Sequence, residues 1–182
     1  DITFDFKNNS TIIHKKRVEP WNVTVVDTGL SSMTGGRLKR VANYLDEDED
    51  FCFTYGDGVG DVNISELVNF HKINNKEATL TCTYPPGRYG SLEIKQNSVT
   101  SFHEKPKGDG KLINAGFFVL NKKVIDRIHD DNTIWEQEPL KNLAKDGQLM
   151  AYKHNGYWQP MDKLSDKKIL EELWNKNQAP WK

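Results

Sequence analysis

The chain has little cysteine and no long apolar run. Its two cysteines, Cys52 and Cys82, lie inside apolar strand-like runs, which is typical of buried thiols in a reducing compartment. We therefore expect both to be core thiols and expect no disulfide framework. The 182 residues contain no apolar stretch close to the length of a membrane span. These features predict a soluble, cytoplasmic protein with no membrane partner.

The chain also lacks an excess of charge of either sign. It has 25 Lys and Arg residues against 26 Asp and Glu residues, which gives a net charge of -1. Nucleic-acid-binding proteins attract the phosphate backbone with a basic face, so this balance argues against a general nucleic-acid partner. A small ligand with its own local charge remains compatible with the composition.

What the chain does contain is an alternation of short apolar runs with amphipathic segments, which is typical of βαβ units. It predicts a single α/β domain over 1–182, with a Rossmann-like, mixed and mostly parallel sheet flanked by helices. A hairpin around 95–98 adds an antiparallel excursion. Thr34, Asn63 and Ser165 are the predicted helix caps. The predicted strands include 23–26, the apolar run that starts at Phe51, 78–84, 115–120 and 149–152, and the predicted helices include 38–45 and 134–144.

The run from Phe51 to Gly58 ends in a carboxylate, Asp57, between two glycines. A run this short and rich in β-forming residues suits a strand buried on both faces of a parallel sheet, and ligands bind beyond the carboxyl ends of such strands. Gly56 would let the backbone approach a ligand closely, and Asp57 offers the hard oxygens that Mg²⁺ prefers. The alternative is an ordinary Asp-Gly turn.

The loop over 27–37 joins a strand to a helix with three glycines and four hydroxyl residues. Free backbone N–H groups and the positive end of the following helix would favour an anion there, and Arg37 would add a fork of donors. This loop is therefore a candidate for nucleotide contacts. The alternative is a flexible surface loop.

Several polar residues follow later apolar runs, and each has an ordinary alternative. Tyr89 lies in a Pro- and Gly-rich loop and suits packing on a sugar, although that loop could be a structural turn. Glu104 could bind sugar hydroxyls and Lys105 a phosphate, or the two could form an exposed ion pair. Asn114 could be a turn residue, and Asp162 could be a charge near a helix start.

Taken in order, these phrases resemble the sugar-phosphate nucleotidyltransferases: the Thr-Gly-Gly-Arg loop, Tyr-Gly-Asp-Gly, Pro-Pro-Gly-Arg-Tyr-Gly, Glu-Lys-Pro, Ile-Asn-Ala-Gly and Trp-Gln-Pro-Met-Asp. The segments 16–23 and 133–140 are similar, more narrowly, to the members that convert CTP and α-D-glucose 1-phosphate into CDP-glucose and pyrophosphate. The resemblance covers nearly the whole chain.

The resemblance implies a role for each candidate residue. Asp57 and Asp162 would hold Mg²⁺, and Ser32, Arg37 and Gly56 would contact the nucleotide. Asp57, Lys105 and Arg37 would be the catalytic residues. The hexose would be lined by Tyr89, Gly90, Glu104 and Asn114, with Lys105 on its phosphate. The resemblance also implies a homo-oligomer, described as a hexamer, and lipopolysaccharide O-antigen biosynthesis.

One departure from the family pattern is large. The family opens with a strand and a Gly-Gly-x-Gly-Thr-Arg loop that binds the nucleotide phosphates, and neither is found in this sequence. We therefore expect the chain to be a domain without its N-terminal part, inactive when alone. Two rival hypotheses remain at this stage. They are a metal-dependent glycosyltransferase, which usually has paired aspartates after a strand, and a non-catalytic nucleotide-sugar binding fragment.

Overall fold

Four strands form the central sheet of the computed structural model, which describes residues 2–14, 21–46, 50–86, 91–103 and 111–182. They lie in the order β3 (Asp50–Thr54), β8 (Ile113–Asn121), β5 (Ala78–Thr83) and β9 (Leu149–Lys153). β8 is antiparallel to β3 and β5, whereas β9 is parallel to β5. Three of the four strands therefore run in one direction, and the predicted mixed α/β sheet is confirmed.

The remaining described strands form two-stranded ladders. β1 (Ile2–Asp5) pairs with β2 (Ser10–Ile13), and β4 (Gly58–Gly60) pairs with β10 (Trp158–Pro160), both antiparallel. β6 (Ser91–Lys95) and β7 (Ser98–His103) form the predicted antiparallel hairpin. Gln96 and Asn97 between them have φ of 47° and 79°, the pair of positive values that a two-residue type I′ turn requires.

Helices cover both faces of the sheet. α1 (Thr34–Arg40) and α3 (Glu138–Lys145) supply Leu38 and Leu143 to the main core, while α2 (Ile64–Asn74) packs on the other face through His71 and Phe70. α4 (Leu164–Asn175) follows β10. Two 3₁₀ segments, Ala42–Tyr44 and Lys122–Arg127, complete the described helical structure.

The predicted helix caps had mixed outcomes. Asn63 caps α2 as predicted, because its side chain accepts a hydrogen bond from the Glu66 N–H at 3.1 Å. The predictions for Thr34 and Ser165 were wrong, since α1 begins after Met33 and α4 after Lys163. The Thr34 hydroxyl instead bonds Glu136 and the Trp135 N–H. The predicted helix over 134–144 begins only at Glu138.

An aromatic cluster forms the main core. Trp135 and Phe118 are almost completely buried, and their ring centroids lie 6.2 Å apart in an edge-to-face arrangement. Phe53 of β3 lies 5.6 Å from Phe118 and 6.3 Å from Trp135. Aromatic pairs in such geometries add to the stabilisation from burial. This cluster holds β3, and with it the start of the Tyr-Gly-Asp-Gly segment, against β8.

Two strand predictions were wrong. Residues 23–26 form no strand, and Val23 and Val25 are 75% and 91% exposed. The physical reason is the lack of a pairing partner within the described residues, because an unpaired strand leaves its backbone groups without a ladder. β3 pairs with an antiparallel neighbour, and its Cys52 side is exposed rather than buried. The prediction of a buried thiol is therefore correct for Cys82 and wrong for Cys52.

No helix in the described ranges is both long enough and apolar enough to cross a membrane.

Candidate active site

The ends of several strands meet at one edge of the central sheet. β3, β5 and β9 run in the same direction, so the segments that follow them, which start at Tyr55, Tyr84 and His154, emerge together. β8 runs the opposite way and therefore begins at this edge, and Asn114 is its second residue. Polar side chains from separate parts of the sequence thus converge where α/β sheets bind ligands.

The short ladder between β4 and β10 brings the two predicted metal-binding segments together. Gly58 pairs with Pro160, and the Met161 N–H donates to the Asp57 carbonyl oxygen at 2.7 Å. Asp162 is the next residue along the chain. Residues more than 100 positions apart in sequence are therefore neighbours in space, and the Asp57 side chain is exposed to solvent. The ladder sets the two segments side by side, and the binding of one ion by both carboxylates stays a prediction.

Contacts of the Asp61 side chain hold this ladder in place. Asp61 Oδ1 accepts a hydrogen bond from the Tyr157 N–H at 2.7 Å and lies 3.0 Å from Nε2 of the buried His154. Trp158 Nε1 donates to the Ala115 carbonyl oxygen at 2.9 Å, which ties β10 to the central sheet. Oδ1 of Asp61 is therefore occupied by contacts that hold the ladder.

A second polar cluster surrounds the Tyr55 hydroxyl. That hydroxyl donates to Glu136 Oε1 at 2.5 Å, and Asn114 Nδ2 donates to the same Tyr55 oxygen at 3.3 Å. Burial, followed by the hydrogen bond and charge of Glu136, raises the pKa of Tyr55 well above its usual range. The phenol therefore stays protonated throughout the neutral range. The charge of Asp57 adds to this effect.

The loop over 27–37 differs from the prediction. The N–H groups of Gly35 and Gly36 donate to the Thr133 carbonyl oxygen at 2.9 and 3.2 Å, so they are not free for an anion. The glycines serve close packing instead, because a Cβ on Gly35 would lie 2.7 Å from that same oxygen. The expectation that the start of α1 offers free N–H groups was therefore wrong.

The two side chains predicted to contact the nucleotide, Arg37 and Ser32, have structural contacts in this loop. Arg37 donates to Thr28 Oγ1 at 2.8 Å and to the Leu30 carbonyl oxygen at 3.1 Å, and so braces the loop. Ser32 is 7% exposed, in the turn closed by Gly29. Their contacts with a nucleotide, and a catalytic role for Arg37, stay predictions.

Two cavities flank the convergence of strand ends. One, of about 430 Å³, lies between the segment after β5 and the connection from β9 to β10, and is lined by residues that include Tyr84, His154 and Trp158. The other, of about 300 Å³, is lined by residues that include Arg37, Thr34 and Tyr55. The Tyr55 cluster and the β4–β10 ladder are thus bordered by two spaces open to small ligands.

Four predicted residues fall outside the described part of the structure: Tyr89, Gly90, Glu104 and Lys105. Gly56 is described and exposed, and a Cβ built on it would meet no atom within 4 Å, so open space borders it as a ligand contact would require. Asn114 is half-buried, with its amide already held by Tyr55 and Gly116.

The described residues contain no group of three or more His, Cys, Asp and Glu side chains that could hold a metal ion by themselves. Asp57 and Asp162 supply two hard carboxylates, which fit an ion that takes its other ligands from a nucleotide and water. Mg²⁺ bound to substrate phosphates in proteins usually has one or two carboxylate ligands of this kind. The residues present therefore fit a substrate-borne Mg²⁺ rather than a closed protein cage.

A model of the nucleotidyl transferase family matches residues 10–165. The chain belongs to this family. It is 63% identical, over all 182 of its residues, to glucose-1-phosphate cytidylyltransferase of Salmonella typhimurium, and covers 71% of that protein. It is 36% identical to a Bacillus subtilis protein named "probable glucose-1-phosphate cytidylyltransferase", of which it covers 74%. The resemblance found in the sequence motifs, including its narrower form, is confirmed.

Solved structures of nucleotidyltransferase-like proteins share the fold. HddC from Yersinia pseudotuberculosis matches with a TM-score of 0.58 at 24% identity, over 78% of this chain and 62% of that one. At that identity the match supports the architecture alone. The chain thus spans about three-fifths of the length of this solved structure.

Sequence reasoning missed three residues of the site: Tyr55, Glu136 and His154. Tyr55 and Glu136 stood inside the motifs Tyr-Gly-Asp-Gly and Trp-Glu-Gln-Glu-Pro, but their spacing of 81 positions gave no sign that they touch. His154 stood in no motif. Only the pairing of distant strands brings these side chains together.

Proposed function

We propose that the protein containing this chain transfers the cytidylyl group of CTP to α-D-glucose 1-phosphate and releases pyrophosphate. The observation that carries the proposal is the β4–β10 ladder, which sets the Asp57 and Asp162 segments side by side at the ligand-binding edge of the sheet. The identity of 63% with a glucose-1-phosphate cytidylyltransferase supports the choice of base and sugar.

In this reaction a phosphate oxygen of glucose 1-phosphate attacks the α-phosphorus of CTP. A new P–O bond forms, the bond to the bridging oxygen of the pyrophosphate breaks, and CDP-glucose remains. No covalent intermediate on the enzyme is needed, because positioning the two anionic substrates and balancing their charge can supply the acceleration. The residues of this chain therefore bind and orient the substrates rather than react with them.

We assign the substrates to the two cavities by the residues that line them. The cavity beside Arg37 and Tyr55 would take the nucleotide. Ser32 and Gly56 are assigned to the nucleotide from the resemblance. The larger cavity, beside the segment after β5, would take the hexose. Asn114 is assigned to the hexose from the resemblance. We propose from the resemblance that Tyr89, Gly90, Glu104 and Lys105 complete the hexose side, with the Lys105 ammonium on the sugar phosphate.

Mg²⁺ is the metal that we propose, held by Asp57 and Asp162. When bound, it would neutralise charge on the nucleotide phosphates. Assembly as a homo-oligomer, cytoplasmic location and a place in O-antigen biosynthesis also remain proposals, as does the single domain lacking an N-terminal part.

The test is an assay of CDP-glucose and pyrophosphate formation, with Asp57→Asn, Asp162→Asn and their double variant. We expect each single variant to lower kcat/KM at least about 100-fold, and the double variant to lose little more, because the two carboxylates share one role. Asp126→Asn is the control, since that exposed carboxylate lies in the 3₁₀ segment Lys122–Arg127, outside the proposed site. Losses that simply add in free energy would show that Asp57 and Asp162 act independently.

The same assay separates the rival activities. A glycosyltransferase would release a nucleotide from a nucleotide sugar without pyrophosphate, and a binding fragment would form no product. A protein that accepts another nucleoside triphosphate in preference to CTP would overturn the assignment of the base.

A further inference from the structure

We propose that Glu136 is a positioning residue that acts through the Tyr55 hydroxyl to fix the Asn114 amide in the orientation that receives the hexose. This inference rests on the function proposed above. It adds two residues, Tyr55 and Glu136, that the family motifs assign to no role in this chain.

The contacts form one continuous chain of hydrogen bonds. Glu136 Oε2 accepts from the Thr34 hydroxyl at 2.8 Å, and its Oε1 accepts from the Tyr55 hydroxyl at 2.5 Å. The Tyr55 oxygen accepts from Asn114 Nδ2 at 3.3 Å, while Asn114 Oδ1 accepts from the Gly116 N–H at 2.9 Å. Glu136 thereby joins the start of α1, the end of β3 and the start of β8.

The chemistry of these groups determines which atom donates and which accepts in each hydrogen bond. An ionised carboxylate can only accept, so the Tyr55 hydroxyl must donate to Glu136 and has only its lone pairs left for Asn114. The backbone N–H of Gly116 likewise can only donate, so it selects the amide oxygen of Asn114. Both constraints point the Asn114 amide the same way, with its nitrogen toward Tyr55.

This orientation leaves one donor free for a ligand. An amide nitrogen has two hydrogens, and Tyr55 takes only one of them. The second N–H of Asn114 remains available at the ligand-binding edge of the sheet, where it can donate to a sugar hydroxyl. A reversed amide would present its oxygen in place of this donor.

The Tyr55 ring cannot swing away, because its surroundings fix it. The ring packs edge-on against Phe53 and Phe118, with centroids at 5.9 and 5.8 Å. On its other side the backbone of Gly116 approaches so closely that an added Cβ would lie 2.6 Å from Tyr55 Cδ2. The pairing of β5 with β8 shifts register beside Gly116, a bulge of the kind that re-aims side chains next to active sites.

Removing Glu136 would release the constraint. Without the carboxylate, the Tyr55 hydroxyl no longer has to donate away from Asn114, and only the Gly116 N–H is left to set the orientation of the amide. The binding of the hexose would weaken. Because Tyr55 also lines the cavity assigned to CTP, the expected signature is a larger change for glucose 1-phosphate than for CTP.

The first test is Tyr55→Phe in steady-state kinetics, with Tyr152→Phe as a matched control. Tyr152 also donates to a glutamate, Glu66 Oε2 at 3.1 Å, but against α2 rather than at the site. We expect Tyr55→Phe to raise KM for glucose 1-phosphate about fivefold to tenfold, the effect of one lost hydrogen bond, and to raise KM for CTP less, because phenylalanine keeps the ring that lines the cavity assigned to CTP. Tyr152→Phe should change neither constant.

The second test compares Glu136→Gln with Glu136→Ala. Glutamine keeps an acceptor for Tyr55 and can donate its Nε2 to Thr34, so it should recover most of the loss in binding of glucose 1-phosphate that alanine causes. A purely structural role would instead lower thermal stability and raise both KM values together in Glu136→Ala.

A panel of deoxy analogues of glucose 1-phosphate identifies the contact. The defect of Tyr55→Phe should vanish for the one analogue that lacks the hydroxyl bound by Asn114. An equal defect for the 2-, 3-, 4- and 6-deoxy compounds, or equal shifts in both KM values, would overturn the inference while leaving the proposed function intact. A wild-type enzyme that forms no CDP-glucose would overturn the proposed function, and this inference with it.

Discussion

Replacing Gly116 with alanine is the sharpest test of how the fold supports the site. Gly116 has φ of +80°, a left-handed value that costs a non-glycine residue about 1–2 kcal/mol. A Cβ there would also lie 2.6 Å from Tyr55 Cδ2. Overpacking of this kind costs about 1–3 kcal/mol. Alanine offsets about 0.4–1 kcal/mol by restricting the unfolded chain. We therefore expect Gly116→Ala to lower the free energy of unfolding by about 1–4.6 kcal/mol.

Gly147→Ala provides the matched control. Gly147 also has a positive φ, of +66°, but a Cβ there would meet no atom within 4 Å. It should therefore lose only the backbone part, about 1 kcal/mol. Urea denaturation of both variants measures the two losses, and their difference isolates the contact with Tyr55. Equal losses would refute the close packing of Gly116 on Tyr55.

Two further predictions concern the thiols and the alkaline stability. In the native protein, Cys52 should react with a thiol reagent long before Cys82, because of the two thiols only Cys52 is exposed. Burial raises the pKa of both thiols. Mass spectrometry of the labelled peptides measures the two rates, and equal labelling would contradict the exposure of β3. The raised pKa of Tyr55 stabilises the fold fully below its ordinary value of 10.0, and this contribution is lost as the pH rises from there toward the folded value. Tyr55→Phe should therefore lose stability less steeply than the wild type above pH 10 in urea titrations, and parallel curves would count against the buried phenol.

The amino-acid sequence by itself determined the local elements whose signals lie within a few residues. The capping of α2 by Asn63 and the turn at Gln96 and Asn97 depend only on neighbouring backbone groups. The order of motifs likewise predicted the family, because each motif is read from contiguous residues. The placement of Asp57 at a strand end followed from the apolar run before it.

The sequence misjudged elements whose state depends on a distant partner. Residues 23–26 have strand-forming side chains, but a strand needs a neighbour for its hydrogen bonds, and none is paired with them among the described residues. Cys52 lies in an apolar run, yet β3 has one exposed face, and burial of that face depends on what packs over it.

Only the tertiary structure decided which side chains meet. The loop over 27–37 was expected to offer free N–H groups to an anion, but the Thr133 carbonyl oxygen, about 100 residues away in the chain, accepts from those of Gly35 and Gly36. The contact of Tyr55 with Glu136 and the approach of Met161 to Asp57 arise in the same way, from sheet pairing between distant segments. Local sequence carries no record of such contacts, because long-range packing, rather than any neighbouring residue, selects them.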